Sequence, residues 1–392
     1  MAGIDLTERF DAITEEGLRA IGGLKWSAYP EATGAFVAEM DFGAAEPVLD
    51  AVRSAVDVAL FGYPPARLAE RMQQATAAWQ RDRYGWDVPA ERVRPMPDVL
   101  QALVATIELF TAPGSAVVLP TPAYMPFLTV PAMLGREVVQ VPMREDASGW
   151  HLDLAGIDRA LAAGGGLLVF CNPHNPIGKV YSPEEMRAVA EVVERHGARV
   201  FSDEIHSPLV YAGHRHTPYA TVSEAAARHT VTATAASKAW NLPGLKCAQL
   251  IFSQDEDAAL WDASASGPFA QHGATNLGLI ATAAAYDEAR DWLDGVVDYL
   301  DGNRRLLAEL VAERLPGVRF RQPDGTYLAW LDFRGTGVDD PAAFFLAHAG
   351  VAATDGGLCG EVGAGCLRFN FATSRPILRD ALDRMGRAFA AR

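Results

Sequence analysis

Short apolar runs with no polar alternation recur through the middle of this chain: Val117-Val118-Leu119, Val138-Val139-Gln140-Val141, Leu167-Leu168-Val169-Phe170, Val200-Phe201, Val231-Thr232-Ala233-Thr234 and Leu250-Ile251-Phe252. Runs of this length, rich in β-branched and large side chains, suit strands covered on both faces. Between two of them, Ser182-Pro183-Glu184-Glu185 offers an N-cap hydroxyl, a proline at the first helical position and a glutamate placed to close a capping box. That pattern predicts an amphipathic helix ending near Gly197. Strand, helix, strand in this rhythm implies an α/β fold: a mainly parallel sheet flanked by helices.

Composition narrows the function classes. At 392 residues the chain is long enough for a large core and for two domains. A formal net charge of -15 argues against nucleic acid or an anionic membrane as partner, since both need a basic face, while small anions can still bind locally. No uncharged apolar run reaches membrane-spanning length. The start Met1-Ala2-Gly3-Ile4-Asp5 lacks the basic and apolar regions of a signal peptide, so a cytoplasmic protein is expected. The cysteines Cys171, Cys247, Cys359 and Cys366 form no Cys-x-x-Cys pair and are expected as buried free thiols. His214-Arg215-His216 has no nearby carboxylate or cysteine to complete a metal site, so no metal is expected. Gly164-Gly165-Gly166 lacks phosphate-loop spacing and reads as a flexible turn before a strand.

Lysine is scarce: of 34 basic residues only Lys25, Lys179, Lys238 and Lys246 are lysines. A lysine kept where arginine serves every other need points to what a guanidinium cannot do, which is to lose its proton and attack a carbonyl. Loops at the carboxyl ends of parallel strands converge on ligands. Asn172-Pro173-His174-Asn175-Pro176-Ile177-Gly178, Ser202-Asp203-Glu204-Ile205-His206 and Ala236-Ser237-Lys238 each follow one of the predicted strands. Together they offer an amine for an aldehyde, a carboxylate for a pyridine nitrogen and an amide for a phenolate oxygen. Pyridoxal phosphate requires that set from a protein.

These loops, with Lys25-Trp26, Ala38-Glu39-Met40-Asp41-Phe42, Phe61-Gly62-Tyr63, Thr121-Pro122-Ala123-Tyr124 and Arg368-Phe369-Asn370-Phe371-Ala372, carry a resemblance that runs nearly end to end. The chain resembles the fold-type I pyridoxal-phosphate enzymes of the aminotransferase class I/II superfamily. Met40-Asp41-Phe42, and His206 where aminotransferases more often carry Tyr, favour the branch of cystathionine β-lyases and related C–S β-lyases.

The resemblance implies roles residue by residue. Lys238 would be the Schiff-base lysine, moving protons at the substrate α and β carbons. Asp203 would pair with the protonated pyridine nitrogen, Asn175 would donate to the phenolate oxygen and Tyr124 would stack on the cofactor ring. His206 would lie near the phenolate or ring edge, or else be a hydrogen-bonded structural histidine. The phosphate would take N–H groups of Val99 and Leu100 at a helix start, where unpaired donors favour an anion. Asp98 departs from the glycine often found there; it either points away as the N-cap or leaves only the backbone to serve. Ser237 would add a hydroxyl, and Lys246 stands at the place of a phosphate-binding arginine or lies at the periphery. Tyr63 would reach the phosphate across a homodimer interface, or be a turn tyrosine of its own chain. Arg368 would grip the substrate α-carboxylate with its planar fork.

The resemblance further implies a large cofactor domain over 46–284 and a smaller α+β domain built from 1–45 and 285–392, closing over substrate. The expected reaction is α,β-elimination from cystathionine or another S-substituted cysteine, giving a thiol, pyruvate and ammonia. Reprotonation at the cofactor carbon would instead make an aminotransferase acting with a 2-keto acid. A cofactor-binding regulatory protein is a third reading, which the acidic charge disfavours. The expected partners are a small amino acid and a second copy of the chain, with no nucleic acid and no membrane.

Overall fold

The computed structural model describes residues 5–392, so the start read above as lacking a leader lies outside them over residues 1–4. Each apolar run forms a strand, and all six strands belong to one seven-stranded sheet. Its order is Val93–Met96, Ala248–Phe252, Thr230–Thr234, Arg199–Asp203, Gly165–Cys171, Ala116–Thr121 and Val138–Pro142. From Thr230–Thr234 to Val138–Pro142 every pairing is parallel, while Ala248–Phe252 runs antiparallel to both neighbours. The edge strand Val93–Met96 carries Arg94 and Pro95 and gives no apolar run to read; a proline is tolerated there because an edge leaves one row of N–H groups unpaired.

Both faces of the sheet are covered, which is why its strands do not alternate. Leu168 and Val200 pack with Ile157, Met186 and Val189 on one side. Their neighbours Val169 and Phe201 pack with Ala102 and Leu103 of the helix Val99–Phe110 on the other. The helix Pro183–Arg195 starts as its sequence predicts: Glu185 N donates to Ser182 Oγ at 3.2 Å and Ser182 N to the Glu185 carboxylate at 2.9 Å.

Only part of the triglycine forms a turn. Gly164, at φ +113°, makes the bend, but Gly165 and Gly166 belong to the strand Gly165–Cys171. A Cβ on Gly165 would lie 2.7 Å from Val118 Cγ2 and 3.0 Å from Ala160 O, so glycine there lets the strand pass close to its neighbours.

A second sheet of five strands has the order Thr33–Ala35, Val351–Asp355, Cys366–Asn370, Leu328–Asp332 and Arg319–Phe320. Thr33–Ala35 pairs in parallel with Val351–Asp355, so the two ends of the chain share one sheet. Lys25 and Asp41 reinforce this closure. They form a buried ion pair at 2.8 Å, Trp26 Nε1 donates to the same carboxylate at 2.8 Å, and Lys25 Nζ also reaches Ala372 O at 3.3 Å. All four cysteines are free and buried, as expected. Among the described residues no helix is long and apolar enough to cross a membrane, and no cluster of side chains could hold a metal.

Candidate active site

Strand register brings the three loops together. Cys171 lies opposite Asp203, and Asp203 opposite Ala233, so neighbouring strands end at one level and their loops open side by side. An inner cavity of about 200 Å³ sits there, lined by Lys238, Asp203, Asn175, His206, Tyr124, Val99, Leu100, Ser237 and Lys246. An outer cavity of about 440 Å³ adjoins it, sharing Ala38, Tyr124 and Lys238 and adding Arg368 with an apolar wall that includes Phe36, Met125 and Leu358. Tyr63 lines neither; it is 99% exposed on its own surface loop.

The four lysines are not equivalent. Lys25 pairs with Asp41, Lys179 with Glu185 at 2.8 Å and Lys246 with Asp98 at 3.0 Å. Lys238 has no acid partner among the described residues; its Nζ donates to Ala38 O at 2.8 Å. Burial, with the Arg368 guanidinium nearby, pushes its pKa down to about 8, so a far larger share of this amine is neutral near pH 7 than of an ordinary lysine.

Arg368 is a second cation lining these cavities without an acid partner among the described residues. It stands on the strand Cys366–Asn370 opposite Trp330 and Thr354. Its Nη2 donates to Phe36 O at 2.7 Å and Thr354 Oγ1 at 3.2 Å, its Nη1 to Asn175 Oδ1 at 3.3 Å, and its buried Nε has no partner. A buried guanidinium without a carboxylate is an uncompensated charge, suited chemically to meeting an anion.

Asp203 faces the cavity from the last residue of its strand. Its Oδ1 accepts from Ile205 N at 3.1 Å, while Oδ2 has only the Cys171 thiol at 3.7 Å. Burial raises its pKa to about 7, so the carboxylate is costly until a cation meets it.

Asp98 resolves as the N-cap of Val99–Phe110, where its Oδ1 accepts from Gln101 N at 2.9 Å and its Oδ2 holds Lys246. The N-cap alternative for this residue is the one seen: the side chain is occupied in capping, and the N–H groups of Val99 and Leu100 have no acceptor among the described residues. Lys246 lines the cavity wall yet spends its amine on Asp98, offsetting the charge of a carboxylate at the start of this helix.

Much of the site's hydrogen bonding comes from main chain in a segment that the sequence marks, from Ala38 on, only through the family resemblance. Over residues 36–40, Phe36 O takes Arg368, Val37 O and Glu39 O take Asn370 Nδ2, and Ala38 O takes both Lys238 and the Tyr327 hydroxyl. Asn241, three residues past Lys238, clasps Met40 through its N–H at 3.0 Å and its carbonyl at 2.9 Å. Tyr327 and Thr354 were not anticipated; Asp324-Gly325, a turn dipeptide ahead of the strand Leu328–Asp332, was the available signal for the former.

The sequence model for aminotransferase class I and II matches residues 37–385. A cystathionine beta-lyase of Corynebacterium glutamicum is 41% identical over 92% of this chain and 95% of its own length. A solved protein of Corynebacterium diphtheriae superposes with a TM-score of 0.92 at 40% identity, covering 97% of this chain and 99% of that one. Cystalysin of Treponema denticola, solved containing pyridoxal 5'-phosphate, superposes at 0.89 with 27% identity, covering 97% and 99%. With the fold, the parallel-strand site and these relatives in agreement, the chain belongs to the aminotransferase class I and II family.

Proposed function

We propose that the inner cavity holds pyridoxal phosphate and that the protein is a C–S β-lyase, releasing a thiol, pyruvate and ammonia from cystathionine or another S-substituted cysteine. Lys238 carries this reading: of four lysines it alone lacks an acid, it is buried, and it faces the unpaired carboxylate of Asp203 in one cavity. The residues fit the cofactor's chemistry. Val99 and Leu100 offer unpaired helix-start N–H groups to a phosphate, with the Ser237 hydroxyl and Lys246 beside them. Asp203 Oδ2 is available to a pyridinium N–H, Asn175 Nδ2 to an anionic oxygen, and Tyr124 supplies an aromatic wall.

When bound, pyridoxal phosphate supplies an aldehyde for amines and a ring that takes up electrons from the substrate α carbon. The chain's own residues do the rest. Arg368 binds the α-carboxylate and fixes the substrate's orientation. Lys238, with its lowered pKa, takes the α proton as a base and returns a proton as an acid. Asp203 stays ionised once a cation meets it, keeping the ring nitrogen protonated. The outer cavity receives the sulfur substituent.

The similarity to the cystathionine beta-lyase of C. glutamicum favours elimination over transamination. The arrangement of the two sheets is consistent with a large domain over 46–284 and a small one over 1–45 and 285–392. The exposed side chains of Val58, Phe61 and Tyr63 suit a homodimer in which Tyr63 serves the partner's phosphate. The deciding experiment incubates the purified protein with cystathionine and a thiol reagent. Thiol and pyruvate should appear with no 2-keto acid added, and Lys238→Ala should abolish both. Turnover that requires a keto acid would assign an aminotransferase instead.

A further inference from the structure

Thr326 adopts φ +62°, a left-handed conformation that β-branched residues rarely take. The surroundings hold it there: its N–H donates to Leu209 O at 2.7 Å, and its carbonyl accepts from the Tyr211 hydroxyl at 2.5 Å. Neighbouring Gly325 is pinned as well, donating to Gly178 O at 3.0 Å. Backbone held out of its preferred region beside a functional cavity calls for a reason.

The reason lies in the side chain. Thr326 is fully buried, and its Oγ1 has one partner, His206 Nδ1 at 3.0 Å. If Nδ1 carried the imidazole proton, the hydroxyl would accept it and its own hydrogen would point at nothing, a costly orphan in a dry interior. The hydroxyl therefore donates to Nδ1, and in a neutral ring the proton must sit on Nε2. The ring is neutral: burial, with Lys238 and Arg368 nearby, pushes its pKa down to about 3. Nε2 has no partner among the described residues, and the ring lines the inner cavity with Asp203 and Lys238, with Tyr327 edge-on at 5.9 Å.

Building on the cofactor reading above, we propose that Thr326 is a positioning residue that sets the His206 tautomer, making Nε2–H a fixed donor towards an anionic oxygen of pyridoxal phosphate.

A donor to that oxygen stabilises the more negative, deprotonated form of the bound chromophore, so losing it should move the pH midpoint of the visible absorption to the alkaline side. The test compares pH titrations of that band in holoenzyme from native protein, Thr326→Val and Thr326→Ser. Thr326→Val keeps shape and removes the donor; its midpoint should rise by about one pH unit, the scale of one lost hydrogen bond to a charged oxygen. Thr326→Ser keeps the hydroxyl and should titrate with the native protein. Where Thr326→Val does not fold, Thr326→Ala removes the hydroxyl with less crowding and carries the same expectation. An unmoved midpoint in the hydroxyl-free variant would overturn the proposal. So would a serine variant shifted as far as the valine one, since packing alone would then explain both. Native protein that takes up no cofactor would instead defeat the functional reading.

Discussion

Lys25→Met should be among the more damaging single substitutions outside the cavity. Lys25 and Asp41 have side chains 2% and 3% exposed and lie 2.8 Å apart. Methionine has nearly the length of lysine and fills the space, so the loss is electrostatic. The Asp41 carboxylate would stay buried with the Trp26 indole as its remaining side-chain partner. Removing one member of a buried pair costs about 3–5 kcal/mol, because the other charge is left uncompensated in a poor solvent. Adding Asp41→Leu removes that charge and should recover about 2 kcal/mol of the loss, leaving about 1–3 kcal/mol for the orphaned indole N–H. Arg53→Ala is the contrast: its pair with Glu46 is 60% and 59% exposed, and the unfolding midpoint should not move. Urea unfolding of the three variants and the native protein at pH 7 reads all of this out. A Lys25→Met cost below about 1 kcal/mol, or a double variant as unstable as the single one, would refute the view that an unpaired buried carboxylate dominates.

Two further outcomes are expected at the cavity. Asp203 has a folded-state pKa of about 7, raised by burial above an ordinary carboxyl value, so its contribution to stability is present below about pH 4 and lost as pH rises through 7. Cofactor-free Asp203→Asn should therefore melt above native apoprotein at pH 8 and alongside it near pH 4; a melting difference independent of pH would exclude the carboxyl as its source. Borohydride reduction of loaded protein should fix pyridoxal phosphate to Lys238 on peptide mapping, and an adduct on Lys25, Lys179 or Lys246 would displace the assignment.

What could be read from sequence alone was local. Two-sided burial leaves unbroken apolar runs, and a capping box is contained within four residues, so the parallel strands and the start of Pro183–Arg195 were both predictable. Asn175, Asp203 and Lys238 are legible because their loops follow those strands in order, and register aligns Cys171, Asp203 and Ala233, whereas Val99, Leu100 and Tyr124 follow from the resemblance alone. The sequence leaves Lys246 open because the family branch varies there, and the partner that holds its amine, Asp98, lies 148 positions away. The pairing of Thr33–Ala35 with Val351–Asp355 joins opposite ends of the chain, and no periodicity announces it. Gly165 and Gly166 were read as a turn because their purpose, close passage beside Val118 and Ala160, exists only once the sheet is assembled. Thr326 carries no local sign of its conformation, since Leu209 and Tyr211 impose it from a distance.

The carbonyls of residues 36–40 give the site an unusual kind of mutational tolerance. A contact made through the main chain does not depend on the side chain at that position, so half-buried Val37 can change identity while Lys238, Tyr327, Arg368 and Asn370 keep their acceptors. Its length is another matter. Deleting one residue would slide every later carbonyl by about 3.5 Å and strip several of these side chains of their partners together. In drifting sequences this segment should hold its count more strictly than the letter at position 37.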